Sequence, residues 1–301
     1  MGETRKTEPR RGGEPTLAEL RQEIDRIDEA VHGLLIERGE IIESLIAVKR
    51  TQESGAAFRP AREASMMRRL VERHRGLLPL DTIESIWRVI ISTFTFVQAN
   101  YSVHADMSAG DALMRDSARF NFGFTVPLKA HVGAASVVAA VAASKGDLGL
   151  VSASALAGAE PWWNALESTD APKIIARLPF VERPDHPASL PLFVVSKPLV
   201  ADAAIHEVEI FSVAVAGWSA AAARAILPLA EVIAAPHGAY DGAALLLSLP
   251  QGRKLKEITD ALVAAGGSVR GTALVGGHAT RYTVSPAASS AGSQKKPGVS
   301  S

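Results

Sequence analysis

The stretch from Leu17 to Lys49, LAELRQEIDRIDEAVHGLLIERGEIIESLIAVK, constrains this chain most. Apolar residues recur at Leu17, Leu20, Ile24, Ile27, Val31, Leu34, Leu35, Ile41, Ile42, Leu45, Ile46 and Val48, interrupted only by Gly33 and Gly39 and by no proline. That spacing predicts one long amphipathic helix. Thr16, with Glu19 three residues on, matches a capping box and gives the helix its start. A second helix is expected from Pro60, which suits a first-turn position, through AREASMMRRLVERHRG to a stop at Gly76. A third follows Asp81 as N-cap, with Ile83, Ile86, Trp87, Ile90, Phe94 and Val97 on its apolar stripe. One chain's three helices carry more apolar stripe than they can hide, so a dimer is expected.

The 301 residues are enough for two domains, and Lys+Arg balance Asp+Glu at 32 each, so any basic site must be local. The absence of cysteine excludes disulfides, thiol nucleophiles and Cys-ligated metal. Residues 1–15 read as a polar, disordered arm without the apolar core of a signal peptide, and AASVVAAVAA at 134–143 is too short to span a bilayer; a cytoplasmic protein is expected.

After the helical residues 16–101, the segment 102–117 has few large apolar residues and reads as a linker. Strands and helices then alternate: KAHVGAASVVAAVAASKGDLGLVSA as helix then strand, KIIARLPFV and LPLFVVSKP as strands, and from VEIFSVAVA to VRGTALVGG a strand and helix series. Residues 285–301 read as a low-complexity tail. Three local features invite over-reading. Ser219, between strand and helix, is a helix N-cap rather than a nucleophile, and Gly266, Gly267 and Gly271 follow a helix, so they read as its stop rather than a dinucleotide loop. The histidines, His32, His74 and His131 among them, show no metal-ligand spacing, and Trp162 and Trp163 read as packing residues.

Helix arithmetic separates the basic residues of the opening stretch. Arg38 and Lys49, eleven apart, are about 20° out of phase and about 16 Å apart, so a small anion fits between their side chains. Arg21 lies about 25 Å before Arg38 and roughly a quarter-turn around the helix, so it serves the same pocket only from a paired second chain.

The helix with these residues, then FRPARE, then a third helix ending in VQ, resembles the all-helical class of chorismate mutases over residues 17–100. The resemblance implies a three-helix intertwined dimeric domain that isomerises chorismate to prephenate for phenylalanine and tyrosine synthesis, with no cofactor and no metal. It makes Arg21 the arginine donated across the dimer, Arg38 the arginine of the same-chain pocket, and Arg62 and Glu63 the substrate-binding arginine and glutamate of the second helix. Lys49 and Gln98 face the ether oxygen, and Glu63 accepts from the ring hydroxyl. Arg59 and Phe94 stand where many relatives have an acidic residue and a serine.

The second half resembles, more distantly, the prephenate dehydratase region of bifunctional mutase–dehydratases. KGDLGLV and HPASLPLFVVSKP carry that likeness, but Leu190, Pro191 and Leu192 replace the catalytic Thr-Arg-Phe triplet. Residues 118–204 are thus expected to be a truncated dehydratase lobe and 205–284 an ACT-like module, which makes a multidomain α plus α/β chain. Two alternatives stay open: a bifunctional mutase–dehydratase, or a non-catalytic ligand sensor.

Overall fold

The computed structural model describes residues 15–49, 58–154, 160–198, 207–236 and 241–284. The expected arm, the break after the first helix, the boundary at 204 and the tail fall mainly or wholly outside them. The chain divides into two units, one ending at Glu53 and the other beginning at Ser54.

The first unit is described by α1, Leu17–Lys49, one continuous helix of about 50 Å. Its start is the expected capping box: Thr16 N and Oγ1 donate to Glu19 Oε2 at 2.8 and 2.9 Å, and Glu19 N donates back to Thr16 Oγ1 at 3.2 Å. Its apolar stripe is largely open, with Leu34 64% and Ile41 65% exposed.

The second unit begins with α2, Pro60–Arg73, and α3, Leu80–Gln98. Helix α2 stops three residues before Gly76, and α3 starts at Leu80 with Pro79 at the cap position, which leaves Asp81 in the first turn. The two faces of α3 reverse the usual arrangement. Polar Glu84, Arg88, Ser92 and Thr95 are buried beside Ile91, whereas Ile86, Val89 and Val97 are exposed. Burial of charge is tolerable only when each group is paired and hydrogen-bonded. Glu84 Oε2 accepts from Arg183 Nη1 at 2.6 Å and its Oε1 from His186 Nε2 at 3.1 Å; His186 Nδ1 accepts from Ala188 N, so the proton sits on Nε2. Arg88 binds Glu63 at 2.7 Å and donates twice to the Asn121 carbonyl, near the C-terminal end of the helix Asp111–Phe122, where a cation suits the helix dipole.

The segment read as a linker is instead structural. Val103–Asp106 forms β1, buried throughout; a 3-10 turn at Met107–Ala109 follows, and α4 spans Asp111–Phe122. The strand was masked because His104 and Asp106 are polar, and partners distant in sequence satisfy them. His104 bonds to His131 and Asp147, while Asp106 Oδ1 accepts from Ser108 N and Gly133 N. Strand β2, Leu128–His131, was also not foreseen. Helix α5, Ala134–Ala143, leads to β3, Leu148–Ser152. Gly149 lets α5 lie close: a Cβ there would sit 2.7 Å from a Val137 methyl.

Strands β4, Lys173–Leu178, β5, Val181–Glu182, and β6, Leu192–Ser196, complete the first module. Then come β7, Val208–Ala216, α6, Ala220–Ile226, β8, Glu231–Ala234, β9, Ala243–Leu249, α7, Leu255–Ala264, and β10, Ser268–His278, ending in β11, Tyr282–Thr283. Among the described residues nine strands make one sheet in the order β2-β1-β3-β6-β4-β10-β7-β9-β8. The β2-β1-β3 part is parallel, β6 runs antiparallel to both neighbours, and β7 to β10 form an antiparallel βαββαβ module of ferredoxin-like order.

The two modules join at Gly276, which pairs with Ile174. Its φ is +141°, and a Cβ there would fall 2.1 Å from the Ile174 carbonyl oxygen, so only glycine lets the strands meet. One core crosses the seam, with Ile174, Phe193 and Trp163 packed with Ile210, Leu246 and Val275. Ser219 caps α6 by accepting from Ala222 N at 3.2 Å, and Gly266 and Gly267 close α7 through bonds to Val263 and Leu262 carbonyls, both as expected.

Candidate active site

The expected site residues come from three helices. Because α1 is unbroken through Lys49, the phase relation of Arg38 and Lys49 holds along it. Arg21 is exposed and Arg38 half-buried, while the Lys49 side chain lies outside the described residues. In the second unit Arg62 is exposed at the start of α2 and Gln98 is half-buried at the end of α3. Gln98 Nε2 donates to the Phe94 carbonyl at 3.0 Å, so the amide must turn away from its own helix to reach a ligand.

Glu63 differs from the expectation of a substrate-facing acceptor. It belongs to the stripe Pro60, Glu63, Met67 and Leu70 that α2 buries, is 4% exposed, and is ion-paired with Arg88. Burial pushes its carboxyl above the usual range, and Arg88 opposes that rise. Arg88 itself was missed. Its signal was present as the central polar residue of the Glu84, Arg88, Ser92, Thr95 row, which helical spacing places on one face.

A second polar centre was also missed, on the face of β1 and β2. His104 Nε2 donates to Asp147 Oδ2 at 2.9 Å, so its Nδ1 accepts from His131 Nε2 at 2.7 Å, and Lys129 Nζ is 3.5 Å from the same carboxylate. Burial works to raise the Asp147 carboxyl, yet the Ser102 N–H and His104 hold it below the usual range. Burial, then the neighbouring His104 and Lys129, lower His131. Only the parallel register brings residues 104, 131 and 147 together.

Residues 20–99 match the family model described as Chorismate mutase type II, about a quarter of the chain. The match to this domain spans most of α1 and all of α2 and α3. No curated protein and no solved structure matches the chain. Among the described residues no helix is long and apolar enough to cross a membrane.

Proposed function

We propose that the protein is a homodimeric chorismate mutase that converts chorismate to prephenate by intramolecular rearrangement. The family match over residues 20–99 carries this reading, and the residue types at the expected positions support it. The reaction needs no nucleophile; it needs a reactive conformer held in place and charge stabilised as the C–O bond breaks. Arg38, Arg62 and the partner subunit's Arg21 bind the two carboxylates, because guanidinium forks match carboxylates. Lys49 and the Gln98 amide donate to the ether oxygen as negative charge grows there. Glu63 enters this reading through Arg88: its ion pair ties α2 to α3 and so sets the distance from Arg62 to Gln98.

The dimer is supported by two surfaces, each apolar and exposed in the single chain. One is the α1 stripe and the other is the outer face of α3, with Ile86, Val89 and Val97. A face of that kind is costly in water and marks an association surface. The strand-rich body is a one-sheet scaffold of a dehydratase-like lobe and an ACT-like module.

The test is a mutase assay on the purified full chain, following loss of chorismate and formation of prephenate. Failure to consume chorismate would remove the reading. Phenylpyruvate formed without acid treatment would favour the bifunctional alternative.

A further inference from the structure

Gln98 is the last residue of α3, and helix ends fray unless the chain beyond them is fixed. Upstream, α3 is held by Arg183 and His186 on Glu84, and by Glu63 and the Asn121 carbonyl on Arg88. Those ties lie ten and fourteen residues before Gln98, about 15 and 21 Å along the axis. They fix the direction of the helix and leave its end to another anchor.

That anchor is at Ser102. The backbone leaves the helix at Ala99, in an extended conformation, and Tyr101 is buried with its ring edge-on to Phe96 at 6.0 Å. Ser102 is then gripped on both sides: its N–H donates to Asp147 Oδ1 at 2.9 Å, and its carbonyl accepts from Leu148 N at 2.9 Å. The next residue starts β1. The Leu148 bond belongs to the parallel pairing of β1 with β3 and forms whatever side chain stands at 147. The other bond needs the Asp147 side chain.

Asp147 is itself oriented from several directions. Its N–H donates to Ser144 Oγ at 3.0 Å, and its Oδ2 accepts from His104 Nε2 at 2.9 Å and lies 3.5 Å from Lys129 Nζ. His104 is fixed in turn by His131, 2.7 Å from its Nδ1. The row His131, His104, Asp147 therefore ends at a backbone N–H four residues beyond Gln98.

We propose that Asp147 is a positioning residue of the mutase site. By holding the Ser102 N–H it fixes the exit of α3 and keeps the Gln98 amide in place for the ether oxygen, while His104 and His131 aim its carboxylate. This role rests on the mutase reading of Gln98. Donors that act on a transition state must be held to within about 0.5 Å, so a loosened exit lowers turnover more than it weakens binding of the carboxylates, which the arginines hold.

The role needs geometry rather than charge. Asparagine at 147 keeps an oxygen for the Ser102 N–H, and its NH2 can donate to His104 Nε2 once the imidazole changes tautomer, with His104 Nδ1–H then donating to His131. Glutamate keeps the charge beside Lys129 on a side chain one methylene longer, so its oxygens fall elsewhere.

The experiment compares the full-length parent, Asp147→Asn and Asp147→Glu by steady-state mutase kinetics and by hydrogen exchange read by mass spectrometry. The Asp147 side chain is 19% exposed, so both small changes should be accommodated. Asp147→Glu should lower kcat about tenfold or more with KM within about threefold of the parent, and should speed exchange about tenfold or more at residues 94–102 but not in α2 or β10. Asp147→Asn should keep kcat within about threefold of the parent. Parental kcat in Asp147→Glu, or a change confined to KM, overturns the proposal. So does an Asp147→Asn loss as large as that of Asp147→Glu, which would make the charge the cause, or exchange that rises equally throughout the molecule, which would make the effect one of general stability. A parent that does not consume chorismate removes the mutase reading and this role together, whereas an active parent with an unaffected Asp147→Glu variant removes the role alone.

Discussion

Replacing His278 by asparagine should flatten the dependence of stability on pH. Burial, the largest effect, lowers the His278 pKa from 6.5 to about 4, with Arg177 and Arg281 adding to the drop and the Ala279 carbonyl and Glu231 opposing it. A histidine depressed in the folded state leaves the unfolded chain to take the proton first as pH falls. Its contribution is therefore intact above pH 6.5 and is lost progressively down to about pH 4. The depression is worth about 3 kcal/mol over that window. Asparagine keeps a donor for the Ala279 carbonyl and does not titrate. His131, also depressed, adds to the loss on acidification, while the raised Glu63 works against it, so the difference between the two proteins isolates His278. Urea unfolding followed by tryptophan fluorescence from about pH 7.5 to about pH 4.5 gives both curves. The wild-type protein should lose about 2–3 kcal/mol more than His278→Asn across that range. Parallel curves would refute the reasoning, whatever the absolute stability of the variant.

Gly276→Ala should cost about 3 kcal/mol or more, because the new Cβ meets the Ile174 carbonyl and the φ of +141° is strained for any residue with a side chain; a melting temperature within a degree of wild type would contradict the described seam. Glu84→Gln should destabilise by about 3 kcal/mol, because buried Arg183 loses its buried partner and keeps only the exposed Asp185 at 3.6 Å, measured by urea titration. Lys49→Ala or Gln98→Ala should lower the turnover number by about a hundredfold or more with the oligomer intact, since preorganised donors act on the transition state; near-normal turnover in either sinks their roles. Leu34→Glu on the exposed stripe of α1 should leave the circular dichroism of the body unchanged while yielding inactive monomers by sedimentation; a fully active monomer would refute a shared site.

Where structure is decided locally, the sequence was sufficient. The period of α1, its Thr16–Glu19 box, the Ser219 cap and the glycine stop after α7 all depend on residues within a few positions of one another. The strands from VEIFSVAVA to AALLLSL were legible for the same reason, since runs of β-branched and aliphatic residues end at clear turns. The family likeness was legible in the order of its basic and amide residues, which the match over residues 20–99 supports.

Tertiary structure decided the rest. VHAD looks like a linker until Asp147 and His131, more than twenty residues away, satisfy His104 and allow a polar strand to be buried. Glu63 looks like a ligand acceptor until the phase of α2 turns it inward onto Arg88. The two α/β modules look separate until the missing Cβ of Gly276 allows a single sheet. The sequence by itself determined the elements whose own residues carry the period, α1 and the strands β7 and β9 among them, and which residue types could hold a dicarboxylate, because those follow from periodicity and side-chain chemistry. Only the packed structure decided which charged groups are consumed in holding α2 and α3 to the body, because buried charges choose partners by register and proximity in space.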